Sequence, residues 1–171
     1  NICWGDRNRS VLVRVPLGWG SKHDMITDAN PKELQTQSGF GSRQTVEFRC
    51  PDGSADIYLL CAGLTVAARH GLQMKDALAF AERTYVDVNI FEEKHRDRVN
   101  QLQQLPYSCW HSSEALERQR GIYEEFGVFP PKIIDGLVSY LRKFNDKDLR
   151  ERVKDNEKEI MKLVNAYLHC G

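Results

Sequence analysis

At Asp52-Gly53-Ser54 the hydrophobic pattern of this 171-residue chain changes period. Before that turn two segments read as extended strands; after it apolar residues recur at helical spacing. Arg43 to Asp52 reads as a strand with Arg43, Thr45, Glu47 and Arg49 on one face. Gln44, Val46, Phe48 and Cys50 take the other, with Val46, Phe48 and Cys50 assigned to the core. Asn8 to Pro16 is a β-branched run and reads as a second strand. Arg9 and Arg14 differ in parity, so both reach one side only if Arg9 sits in the entering turn or a bulge intervenes; the turn is the simpler arrangement. Two arginines and a glutamate along one face suit an anion or a metal-phosphate site. The same row also fits a solvated sheet face with cross-strand ion pairs.

The remainder predicts helices, so the expected class is α+β. Ala55 to His70 carries Leu59, Leu60, Gly63, Leu64 and Ala67 at helical spacing and is expected to stop at Gly71 and pack beneath the strands. Further helices are expected over Met74 to Thr84 and over Asn89 to Leu105. Ser112 or Ser113 is expected to cap a helix ending at Phe126 and Gly127, and Lys132 to Phe144 follows with Pro131 in its first turn. A last helix, Leu149 to Leu168, takes Asp146 or Asp148 as its cap. Leu17 to Gly41 shows neither hydrophobic period and reads as a long surface loop.

Composition narrows function. Lys plus Arg and Asp plus Glu are 24 each, so no net field favours nucleic acid or an acidic membrane. No apolar window is long enough to span a bilayer. The five cysteines are odd in number and scattered, which fits a reducing, cytoplasmic setting, and the five histidines form no pair at metal-ligand spacing. A length of 171 residues is enough for one domain over 1–171, divided into strands and a long loop (1–52) and a helical region (53–171).

Asn8-Arg9-Ser10 with Val13-Arg14-Val15-Pro16, followed by Val46-Glu47-Phe48-Arg49-Cys50-Pro51-Asp52-Gly53-Ser54-Ala55-Asp56-Ile57-Tyr58, resembles the carboxy-terminal half of the catalytic domain of glutamine synthetase. Tyr85-Val86-Asp87 and Phe129-Pro130-Pro131 are also similar to bacterial members. The resemblance implies a few antiparallel strands of a catalytic sheet, followed by helices. It implies a ligase that makes glutamine from glutamate, ammonia and ATP through a γ-glutamyl phosphate, with Mg²⁺ or Mn²⁺, in a homo-oligomer.

Carried over by position, Glu47 matches a metal-binding glutamate and Arg49 an arginine that holds the substrate glutamate. Arg9 matches the arginine on the transferring phosphoryl group, and Arg14 one on the ATP phosphates. Where many bacterial members place a phosphate-binding arginine two residues before the glutamate, this chain has Thr45, and Arg43 is the nearest candidate. The family's other metal carboxylates, its metal-binding histidine, its nucleotide loop and its flap glutamate precede the first motif, which here begins at Asn8. The chain is therefore expected to be a fragment that is inactive alone. Two other readings stay open: ligation of glutamate to a different amine, and a non-catalytic helical assembly module.

Overall fold

In a computed structural model, residues 1–16, 30, 32 and 45–168 are described, and they divide into two compact units. One comprises Asn1–Cys50 with Leu78–Gln104, the other Pro51–Ala77 with Leu105–Gly171. Arg43 and most of the long loop lie outside the described residues.

In the first unit β1 (Trp4–Asp6), β2 (Val13–Val15) and β3 (Glu47–Phe48) form a sheet in that order. β2 and β3 are antiparallel, with Val13 opposite Phe48 and Arg14 opposite Glu47. β1, absent from the sequence reading, adds in parallel with Gly5 opposite Arg14, so the α+β class holds with a mixed sheet. Its three residues are too few to display a period. The chain returns from β1 to β2 through a tight loop that opens with Arg7 at φ 55°, where the Arg7 amide donates to the Val15 carbonyl at 2.8 Å.

The core of this unit is Cys3, Val11, Val86 and Leu102, with Val88 and Ile90 packed on it. Residues 86–90 lie against β1, where the Val86 amide donates to the Trp4 carbonyl at 2.8 Å. A Cβ on Gly5 would stand 2.3 Å from the Val86 carbonyl oxygen, so only glycine permits that approach. The core does not take β3: Val46 is 66% exposed, and Phe48 and Cys50 are exposed too. α2 (Ala77–Thr84) is joined to the sheet by Trp4, whose Nε1 donates to the Ala81 carbonyl at 2.8 Å. The helix expected over 89–105 shrinks to a 3-10 turn, Glu93–His95, and α3 (Arg96–Asn100). The reason is that Val86, Val88 and Ile90, at every second position, all pack on one core, which a helix does not allow.

In the second unit α1 (Ile57–Gln73), α4 (Cys109–Glu124) and α5 (Pro131–Arg142) enclose Val66, Phe129, Ile134 and Val138. Ala62, Leu116, Ile122 and Tyr123 pack around that cluster. α1 starts where Asp56 Oδ1 accepts the Leu59 amide at 2.9 Å and runs through Gly71, because a glycine inside a helix costs only about 1 kcal/mol. Its buried face runs through Ala62 and Val66 rather than Leu59, Leu64 and Ala67, which are exposed, and it joins the helical cluster rather than the strands.

α4 begins earlier than expected. Ser108 Oγ accepts the His111 amide at 3.1 Å, while Asp146 accepts from Cys109 at 2.7 Å and Trp110 at 2.9 Å. Ser113, a candidate cap, is instead fully buried inside the helix, its Oγ donating to the Trp110 carbonyl at 2.6 Å. Pro131 does open α5, as its fixed φ favours. The last helix is two, α6 (Leu149–Val153) and α7 (Glu157–Tyr167), because Asn156 caps a fresh start by accepting the Glu159 amide at 3.2 Å.

Candidate functional site

The register of β2 against β3 builds the site. Opposite residues on antiparallel strands share a face, and Arg14 therefore meets Glu47, with Nε 2.5 Å from Oε2. Both atoms are buried, yet neither has a well-aligned hydrogen-bond partner: this is a close charge contact, not a directed bond. Glu47 is 42% exposed, so the pair contributes on the order of 1 kcal/mol or less to stability.

Just past β3, the Arg49 amide donates to the Leu12 carbonyl at 3.0 Å, continuing the pairing with the β2 side. Its guanidinium crosses to the preceding loop, where Nη1 donates to the backbone carbonyl of Arg9. Arg9 itself is in the turn before β2, the simpler of the two arrangements its parity allows, and is exposed. It lines an open cavity of about 390 Å³ together with Asp6, Arg7, Asn8, Ser10 and Asp87. The Arg14–Glu47 pair is not part of that lining. Four of the five candidate side chains thus fall within one small sheet and the loop it holds, while Arg43 lies outside the described residues.

A divalent cation finds one suitable oxygen donor here. Mg²⁺ is commonly held by one or two carboxylates plus phosphate and water, so Glu47 fits as a contributor. Among the described residues no group of three His, Cys, Asp or Glu side chains gathers to hold a metal, so Glu47 is not a metal site by itself.

The loop carries a set of contacts that periodicity does not reveal. Asn8 Nδ2 donates to the carbonyls of Val86 at 3.1 Å and Val88 at 2.8 Å. Asn8 Oδ1 accepts from the Ser10 amide at 2.9 Å and from Ser10 Oγ at 2.7 Å. Ser10 Oγ in turn accepts the Ile90 amide at 3.1 Å. The signal in the sequence is Asn-X-Ser, a local Asx-turn pattern.

The sequence model of the family described as "Glutamine synthetase, catalytic domain" matches residues 1–161. The chain belongs to that family. A glutamine synthetase of Pyrococcus horikoshii is 32% identical over 128 residues, 74% of this chain and 23% of the relative. One from Mycolicibacterium smegmatis is 30% identical over 142 residues, 83% of this chain and 25% of the relative. One from Streptomyces filamentosus is 29% identical over 160 residues, 94% of this chain and 29% of the relative. The chain thus spans about a quarter of the length of the glutamine synthetases it matches, and those relatives are not confined to bacteria such as Streptomyces. No solved structure matches it. Among the described residues no helix is long and apolar enough to cross a membrane.

Proposed function

We propose that this chain contributes part of the catalytic site of a glutamate–ammonia ligase that makes glutamine at the expense of ATP through a γ-glutamyl phosphate. Glu47 supplies one carboxylate to a Mg²⁺ or Mn²⁺ ion, and Arg14, with Arg43 as a further candidate, binds ATP phosphates. Arg9 contacts the transferring phosphoryl group, and Arg49 holds the substrate glutamate. Phosphoryl transfer depends on positioned charge more than on covalent participation by the protein, and arginines suit the planar, multidentate recognition of phosphate and carboxylate. The observation that carries the reading is the pairing of Arg14 with Glu47 across β2 and β3, inside a region that matches the family.

The geometry is compatible with these roles. On this reading Arg14 meets Glu47 through Nε and phosphate oxygens through its terminal N–H donors. Arg9, exposed at the mouth of an open cavity, can approach a ligand without first breaking a buried contact. Arg49, already donating to the Arg9 carbonyl, couples the substrate-binding strand to the phosphoryl-binding turn. The intact protein is a cytoplasmic homo-oligomer on this reading, and the chain alone is inactive because one carboxylate does not complete a metal site. The test is ATP- and metal-dependent glutamine formation by the natural protein at full length, with and without Glu47→Ala. A loss of roughly 100-fold or more is expected; turnover unchanged by the substitution contradicts the assignment.

A further inference from the structure

We infer that Asn8 and Ser10 are positioning residues for Arg9, acting as a side-chain latch that fixes the turn between β1 and β2. The inference rests on the reading of Arg9 as a phosphoryl-contacting residue. The loop is anchored at its start by the Arg7 amide on the Val15 carbonyl and at its end by Val11 in the core, which leaves the tip to be held by side chains. It must carry the chain from the end of β1 back to the start of a parallel strand, it opens on a left-handed residue, and Arg9 at its tip is exposed. Side-chain hydrogen bonds take over the work that a regular ladder does elsewhere.

The latch is a connected chain of donors and acceptors. Asn8 uses both N–H groups of its amide on the carbonyls of Val86 and Val88, and its oxygen on the amide and hydroxyl of Ser10. Ser10 Oγ donates to that oxygen and accepts the Ile90 amide. Asn8 and Ser10 flank Arg9, so the turn is pinned on both sides to a segment whose Val86 is buried in the core. From a third direction the Arg49 guanidinium holds the Arg9 carbonyl. Three fixed points around one residue leave its backbone no room to turn. Only the side chain retains freedom, and a guanidinium must arrive within hydrogen-bond distance of a transferring group to stabilise its charge.

Positioning of this kind acts through Arg9, which separates it from a general contribution to folding. In the natural protein at full length, Ser10→Ala is expected to lower kcat roughly tenfold while the KM for ATP changes by less than about twofold. Ser10→Thr, which keeps the hydroxyl, restores most of the turnover. Arg9→Ala lowers kcat roughly 100-fold, and adding Ser10→Ala to Arg9→Ala removes less than about twofold more, because the residue being positioned is already gone. Asn8→Asp keeps the oxygen that Ser10 uses and loses the donors to Val86 and Val88; it gives the same pattern and serves if Ser10→Ala does not fold. Wild-type turnover in both Ser10→Ala and Asn8→Asp, or a double variant showing the full product of the single losses, overturns the latch. Wild-type turnover in Arg9→Ala overturns the reading of Arg9, and the latch falls with it.

Discussion

Gly5 and Val86 approach each other closely beside the sheet. Because a side chain at position 5 would meet a carbonyl oxygen, not a yielding side-chain end, Gly5→Ala requires β1 and residues 86–90 to separate. The expected cost is about 1 to 3 kcal/mol, measured as a lowered urea midpoint with unchanged slope. Glu47 behaves in the opposite way. Its ion pair with Arg14 is partly solvated, so Glu47→Gln changes stability by less than about 1 kcal/mol while turnover falls steeply. Such a split between melting and activity marks a functional carboxylate. Alternation gave the residues that share a face within a strand, but the facing of Arg14 and Glu47 came from the register; the turn at Arg9, one of two arrangements its parity allowed, was legible. The Asn8–Ser10 contacts were not, since bonds from side chains to distant backbone leave no period behind them.

At the scale of elements, helix bodies were easier to read than helix ends or faces. Pro131 set the start of α5 by its own geometry, whereas α4 starts at a place decided by Asp146, distant in sequence, which satisfies two amides of its first turn. Of the two residues expected to cap the last helix, Asp146 serves α4 instead, and Asp148 stands at the N-cap of α6 without a side-chain hydrogen bond. Burial pushes the Asp146 carboxyl up, but the Trp110 and Cys109 amides outweigh it and leave it below its ordinary value of 3.8. A group with a lowered folded pKa stabilises above its unfolded pKa, and that contribution disappears as pH falls through the folded one. Asp146→Ala is therefore expected to cost about 1 to 2 kcal/mol at neutral pH, with the difference from wild type shrinking in acid below the ordinary carboxylate value. Thermal melts of both proteins across that range check it. In α5 the buried residues are Ile134 and Val138, while the neighbouring Ile133 is exposed. Periodicity gives a face to within a residue or so, and the partner helices decide the rest. Ile134→Ala should cost about 2 to 5 kcal/mol and Ile133→Ala, at an exposed position, much less.

For the whole molecule, the family was legible because motifs that carry charge at fixed spacing survive in a short stretch. The two compact units were not, since the first is assembled from segments far apart in sequence, Asn1–Cys50 and Leu78–Gln104. The family match runs through both, and we retain one domain over 1–171 as a proposal. It predicts a single cooperative unfolding transition, with Gly5→Ala and Ile134→Ala shifting the same midpoint. On the proposed reading the charged side chains of β2, β3 and the preceding turn serve catalysis. The most direct measurement is ATP-dependent glutamine formation by the natural protein at full length carrying Glu47→Ala or, separately, Arg49→Lys. A fall of roughly 100-fold or more in each, with the fold retained, is the predicted result; undiminished activity in both variants would contradict it.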